Sequence, residues 1–122
     1  MVKNLDKFLA GWKQRLNDRE EDRSNRFENA RSSANICANI LLDEFGVEDV
    51  YLVGSAVDPE SFHSRSDIDI AVRGLAPEDY FSALSRCFDE LPPEFSLDLI
   101  DFKDLSPNER NKLIESGERL TA

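Results

Sequence analysis

One stretch of the sequence, from Tyr51 to Val72, constrains the fold more than any other: YLVGSAVDPESFHSRSDIDIAV. Its apolar start ends at Gly54-Ser55, a polar loop follows, and aspartates then alternate with isoleucines over residues 67–70. Side chains two positions apart in a strand point to the same face, so Asp67 and Asp69 project together while the isoleucines face a core. The stretch therefore predicts two strands joined by a polar loop, with two carboxylates on one face of the second strand.

Hydrophobic spacing predicts the other elements. Residues 4–44 carry apolar side chains three and four positions apart, which indicates helix. The polar stretch NDREEDRSNR within them leaves open whether the region is one long helix or two shorter ones. Strands are predicted to begin at Asp49, Asp67 and Phe95, because each start is followed by a short run of aliphatic or aromatic residues.

Two further helices are predicted in the second half of the chain. One starts near Pro77 and places Phe81, Leu84 and Phe88 on one face; the other follows Ser106, which forms a capping-box pattern with the glutamate three residues later. The order of elements predicts an α+β fold, a small mixed or antiparallel sheet flanked by helices. We expect an N-terminal helical segment over residues 1–45 and a core over residues 46–122, forming one compact domain.

The charge of the chain narrows the classes of function. Aspartate and glutamate number 25 against 15 lysines and arginines, a formal net charge of −10. That field repels nucleic acid and favours cations or a basic protein partner. The N-terminus is too charged for a signal peptide and no apolar run is long enough to span a membrane, so we expect a cytoplasmic protein. Cys37 and Cys87 fit no metal-binding motif, which favours reduced, packed thiols.

A third carboxylate is predicted to join the pair. In FSLDLIDF, residues 95–102, strand alternation places Leu97 and Leu99 on the core face and Asp98 on the opposite face. If this strand lies beside the strand that contains Asp69, three carboxylates converge. Like charges at that separation are unfavourable without a cation between them, and oxygen ligands suit Mg²⁺, including two-metal sites. The alternative is a pair of ordinary strands, each with one solvated face.

Taken together, these residues resemble a known signature. Gly54-Ser55, an eleven-residue spacer, Asp67-Ile68-Asp69 and a later strand with Asp98 are similar to the motifs of the DNA polymerase beta-like nucleotidyltransferase superfamily. The resemblance is closest to its minimal nucleotidyltransferase (MNT) branch, which includes antitoxins paired with HEPN-domain toxins. It covers about Val50 to Leu120, including the tail LDLIDFKDLSPNERNKLIESGERL.

The resemblance implies a polymerase beta palm-like core and a role for each motif residue. Asp67 and Asp69 would ligate the two Mg²⁺ ions that bind a nucleoside triphosphate, while Asp98 would ligate the catalytic metal and act as general base. Gly54 and Ser55 would hold the phosphates, and the further nucleotide-binding candidates are Ser66 and Arg65. The implied reaction transfers AMP from ATP to a hydroxyl, which in the toxin-paired members is a tyrosine of the HEPN partner.

The sequence departs from the MNT pattern in two places. The spacer is one residue longer than in many MNT antitoxins, and AVDPESF stands where an arginine usually follows the Gly-Ser pair. Arg65 and Arg73 are candidate substitutes for that arginine, and His63 in the same loop is a candidate substrate contact. Asp101 is the fallback for Asp98, although strand alternation points it to the other face.

Two functions remain open from the sequence. The first is an enzyme that adenylylates a partner toxin; the second is a non-catalytic antitoxin of the same fold that neutralises its partner by occlusion. We expect a protein acceptor supplied in trans, because a chain of 122 residues leaves no room for a separate substrate domain. An apolar stripe near the N-terminus could dock a partner helix or a second copy, or cover the chain's own core: Phe8, Leu9, Trp12 and Leu16.

Overall fold

A four-stranded sheet with three helices forms the fold in a computed structural model that describes residues 2–62 and 67–121. Within the first helix, the side chains described are those of residues 11, 12 and 22 onward. In chain order the elements are α1 (Val2–Glu44), β1 (Asp49–Val53), β2 (Ile68–Arg73), α2 (Tyr80–Asp89), β3 (Leu97–Asp101), α3 (Pro107–Ser116) and β4 (Glu118–Leu120). The predicted α+β class is confirmed.

The sheet is mixed, with strand order β3-β2-β1-β4. β1 runs antiparallel to both β2 and β4, whereas β2 and β3 are parallel. Parallel neighbours cannot be joined by a tight hairpin, so the chain crosses from β2 to β3 through α2. As a result, the N-terminal ends of β2 and β3 meet the C-terminal end of β1 at one end of the sheet.

The first helix, α1, is continuous from Val2 to Glu44, which settles the question that its polar stretch left open. Its last five turns supply one side of the core, where Ala30, Ala34 and Leu41 are fully buried. Gly46, with φ +63°, then reverses the chain into β1. Among the described residues, no helix is both long and apolar enough to cross a membrane.

The second helix, α2, packs inward through its small side chains. Ala83 and Cys87 are buried, and Cys87 lies against Cys37 of α1, each thiol sulfur within 3.9 Å of the other residue's carbonyl oxygen. Both cysteines are free, as predicted. Phe81 and Phe88 share a face as expected, but that face points outward: the two rings are 79% and 53% exposed.

The C-terminal elements include one strand that the sequence did not predict. α3 begins as predicted, with the Ser106 side chain accepting the N–H of Glu109 and the Glu109 carboxylate accepting the N–H of Ser106. After Gly117, residues 118–120 form β4 along the free edge of β1. The sequence ERL has no apolar alternation, so the pairing is determined by β1 rather than by local propensity.

A buried carboxylate links the three antiparallel strands. Asp49, at the start of β1, has a side chain only 5% exposed and pairs with Arg73 of β2 and, at 2.7 Å, with Arg119 of β4. Arg73 also lies 3.5 Å from the carboxylate of Glu48. A buried carboxylate is tolerated only when it is paired and hydrogen-bonded, and here two guanidinium groups meet that requirement.

We predict that the double variant Arg73→Ala, Arg119→Ala loses about 2 kcal/mol of unfolding free energy, measured by urea denaturation at pH 7. The stability falls because the Asp49 carboxylate stays buried without a cation beside it. The expected loss is smaller than for a fully buried ion pair, because both arginines are more than half exposed. Adding Asp49→Asn should recover much of the loss. If Lys112→Ala, a change at an exposed lysine, destabilises equally, the carboxylate is not the cause.

Candidate functional site

The predicted acids lie at the end of the sheet where β1 finishes and where β2 and β3 begin. In the register of the sheet, Asp69 of β2 is the partner of Val53 on one side and of Asp98 on the other. Asp67 immediately precedes β2, two residues before Asp69, a Cα separation of about 6.6 Å in extended chain. The structure therefore brings together the three acids that sequence reasoning singled out.

The negative charges of Asp67 and Asp98 act on the carboxylate of Asp69. Its side chain is half-buried, whereas Asp67 and Asp98 are exposed. Burial raises the pKa of Asp69, and the negative charges of Asp98 and then Asp67 raise it further. An ionised Asp69 is thus unfavourable in the protein alone, and a cation placed among the three carboxylates would relieve both repulsions.

The turn that begins with the Gly-Ser pair lies directly beside the carboxylate of Asp69. Gly54 opens a short 3-10 turn, Gly54–Val57, directly after β1 and has φ +75°, a conformation that side chains other than glycine rarely adopt. A Cβ atom at this position would lie 2.5 Å from Oδ2 of Asp69. Glycine is therefore needed twice, for its backbone angle and for the close approach of the carboxylate. Ser55 follows it, half-buried in the same turn.

Two other sequence candidates, Arg73 and Asp101, lie at the opposite end of the sheet. Arg73 lies at the far end of β2, about 13 Å from Asp69 by strand rise, and is paired with Asp49, so the suggestion that it replaces the missing arginine is wrong. Asp101 is buried, and its carboxylate accepts the N–H of Lys103, which makes it a turn residue. His63, Arg65 and Ser66 lie outside the described residues, as do the side chains of Phe8, Leu9 and Leu16.

Sequence reasoning missed Arg31, a cation of α1 that contacts the turn. Its guanidinium donates to the carbonyl oxygen of Ala56 at 3.3 Å and pairs with Glu118 of β4. The contact fixes the turn against α1 and β4, two residues from Gly54, while Glu118 balances the charge of the guanidinium. The sequence around Arg31 has no motif that would have marked it, because the contact joins parts of the chain 25 residues apart.

The acids are suited to binding a hard cation that has further ligands, rather than to forming a closed metal site by themselves. Carboxylate oxygens are the ligands that Mg²⁺ prefers. Burial raises the pKa of Asp69, and the negative charges of Asp98 and Asp67 raise it further, so a bound cation would favour its ionised form. Among the described residues, no group of three or more histidine, cysteine or acidic side chains could hold a metal ion. Mg²⁺ usually takes only one or two carboxylates and completes its shell with water and substrate phosphates. The donors present therefore fit a Mg²⁺ ion that arrives with a phosphorylated ligand.

Comparison with known proteins does not assign the chain. No family model matches the sequence, and no curated protein is significantly similar to it. Function is therefore inferred from the chemistry of the acids and of the turn that borders them.

We predict that Gly54→Ala disturbs the acids specifically. The added methyl group would displace the Asp69 carboxylate, which is the flexible end of a side chain. Because one carboxylate contact with the ion would be lost, Mg²⁺ affinity in a calorimetric titration should fall by about tenfold.

Gly46→Ala is the matched control for this variant. Gly46 has a similar φ of +63° but open space around its Cβ position. Both substitutions should cost about 1–2 kcal/mol of stability through backbone strain, and only Gly54→Ala should weaken Mg²⁺ binding. Equal Mg²⁺ affinity in the two variants would show that the contact with Asp69 does not matter.

We also predict that Asp69→Asn stabilises the metal-free protein by about 0.5 kcal/mol at pH 7, because it removes a carboxylate repelled by its neighbours. A raised folded-state pKa means that the folded protein holds this proton more tightly than the unfolded chain. The advantage of the variant should be absent well below pH 3.8, grow as the pH rises through the raised pKa of Asp69, and stay constant above it. Thermal unfolding of both proteins from pH 3 to pH 8 measures the difference.

Added Mg²⁺ provides the internal control for this comparison. It should raise the melting temperature of the wild type and have a much smaller effect on the Asp69→Asn variant. A variant less stable than the wild type across the whole pH range would contradict the repulsion inferred at Asp69.

Proposed function

We propose that the protein is a Mg²⁺-dependent nucleotidyltransferase that transfers AMP from ATP to a hydroxyl group of a partner protein. One observation carries the proposal: Asp69 is held half-buried between two other acids and against a glycine turn. That arrangement is unfavourable for an isolated protein and is suited to holding a cation with a phosphorylated substrate. The resemblance of the same residues to the MNT signature agrees with it.

In this proposal each part of the site has a distinct task. Asp67 and Asp69 would hold Mg²⁺, which when bound neutralises phosphate charge and polarises the α-phosphate. The exposed backbone at Gly54 lets a phosphate approach closely, and Ser55 offers a hydroxyl and an amide N–H to it. Arg31 keeps the turn in place through its bond to Ala56.

Asp98 is the residue placed to handle the acceptor proton. Its carboxylate is exposed and adjacent to Asp69 across the parallel pair, so an incoming hydroxyl can reach it from solvent. As that hydroxyl oxygen forms a bond to the α-phosphorus of ATP, its proton passes to Asp98. The bond from the α-phosphorus to the oxygen that bridges to the β-phosphate breaks, and pyrophosphate leaves. The products are an AMP-modified acceptor and pyrophosphate.

The acceptor implied by the resemblance is a tyrosine of a HEPN-type toxin, which would make this protein an antitoxin of the cytoplasm. The net charge of −10 supports a basic partner protein over nucleic acid.

The decisive experiment incubates the purified protein with Mg²⁺ and ATP labelled at the α-phosphate, with and without a co-purified partner, and scores intact mass. We expect a gain of one AMP on the partner. Asp69→Asn and Asp98→Asn should each slow the transfer by about 10³-fold or more, since a cation ligand or the general base is lost.

Asp101→Asn is the matched control for these variants. It changes a buried acid on β3, the strand that carries Asp98, and its side chain points to the opposite face of the sheet from Asp98. It should retain transfer while losing about 1 kcal/mol of stability through its weakened bond to the Lys103 N–H. Full activity in Asp69→Asn would exclude the proposed mechanism. Activity lost in Asp101→Asn but retained in Asp98→Asn would exchange the roles of these two aspartates.

The alternative is a non-catalytic antitoxin that occludes its partner. The observation in its favour is the lack of an arginine between Gly54-Ser55 and Phe62, where the resemblance leads one to expect a phosphate contact. A stable complex, measurable Mg-ATP binding and no AMP transfer would favour this alternative, as would undiminished neutralisation by the Asp69→Asn variant.

A further inference from the structure

The outer face of α2 forms an apolar groove with the start of β3. It has a volume of about 480 Å³ and is lined by Phe81, Leu84, Ser85, Phe88, Asp89 and Leu97. We call this surface the α2 groove. Phe81 is 79% exposed and Phe88 is 53% exposed, so two aromatic rings stand in solvent at opposite ends of one helical face. Exposed aromatic rings that flank a depression are typical of a protein-binding surface.

The charge around the α2 groove specifies what can bind there. Asp89 is the charged residue of its lining. The nearby Arg86 does not offset it, because its guanidinium is paired with Glu44 at 3.2 Å and with Glu90 at 2.6 Å. A second copy of this chain, with a net charge of −10, would bring the same acidic surface against itself. A basic partner is electrostatically complementary instead.

The α2 groove and the proposed active site adjoin the same edge strand, β3, on its two faces. Leu97 lines the groove and Asp98 follows it in β3, and alternation points the two side chains to opposite faces of the sheet. Within the described sheet, β3 has a neighbour on one side only, so a bound chain can pass around its outer edge.

Tyr80 anchors the groove to the strand that carries Asp98. Its hydroxyl donates to the carbonyl oxygen of Leu99 at 2.6 Å, and its ring contacts Phe81 edge-on with the centroids 5.4 Å apart. These contacts hold the ring of Phe81 in place relative to the strand that carries Asp98.

We infer that the α2 groove binds an apolar helical segment of a protein that carries lysine or arginine beside it, and that this contact presents the hydroxyl of that protein to Asp98. The inference rests on the proposed function for its second part only. The groove gives the enzyme an acceptor-binding surface outside the nucleotide site.

The test uses a synthetic amphipathic peptide as the probe, with leucines at helical spacing, lysines elsewhere and one tyrosine. Titration into the ¹⁵N-labelled protein should shift the amide signals of residues 81–89 and 97–98. The double variant Phe81→Ala, Phe88→Ala should bind the peptide about tenfold more weakly or worse, because exposed aromatic anchors dominate such contacts. A peptide with glutamate in place of lysine should bind the wild type at least about tenfold more weakly.

Ile36→Ala is the matched control, since Ile36 is 44% exposed on α1 and does not line the α2 groove. It should bind the lysine peptide like the wild type. Signal shifts confined to other surfaces, equal affinity in the double variant, or equal binding of the two peptides would overturn the inference. So would a wild-type dimer, seen by sedimentation, that the double variant abolishes, because the occupant would then be a second copy.

The two proposals fail in different ways. If the groove binds as expected but no peptide or partner ever gains AMP, the proposed enzyme is wrong and the binding surface stands. If a partner gains AMP at the same rate with the double variant as with the wild type, the enzyme stands and the role of the groove is wrong.

Discussion

The parallel pairing of β2 with β3 is the constraint on which the candidate site depends. Because both strands run in one direction, Asp69 and Asp98 occupy neighbouring positions near the two strand starts. The antiparallel pairing of β1 then delivers Gly54 to the same end, directly after the partner of Asp69. If β3 instead ran antiparallel to β2, its start would lie at the Arg73 end of the sheet, and Asp98 would lie away from the other two acids.

The same pairing explains why an apolar surface is left exposed. A parallel pair requires a crossover, and α2 makes it on the face that α1 also covers. α2 lies close to α1 because the contact is made by small side chains, Ala83 and the mutually packed Cys37 and Cys87. Tyr80 and Leu84 also pack against the core, whereas Phe81 and Phe88 lie outside this contact. The acids and the α2 groove are thus two results of one connection, on opposite faces of the edge strand β3.

The sequence predicts the parts of this arrangement that depend on local pattern. Strand alternation correctly placed Asp98 and Asp101 on opposite faces, and the capping box located the start of α3. What it could not predict depends on long-range contacts. The apolar face of α2 was identifiable from its spacing, but the sequence did not show that α1 would contact the small residues Ala83 and Cys87 beside it. β4 forms only because β1 has a free edge, and Arg31 gains its role from a turn 25 residues away.

A structural acid and an acid of the candidate site lie at opposite ends of the β1–β2 pair, and the charges around them differ. At one end, Asp49 is paired with Arg73 and Arg119, so its buried charge is balanced within the protein. At the other end, Asp69 has no ion-pair partner among the described residues and lies near two further negative charges instead. The strand pair gives both positions the same rigid backbone, so the difference lies in the side chains around them. A charge left unbalanced on a rigid strand, beside a glycine that admits its close approach, is suited to a cation that comes from outside the chain.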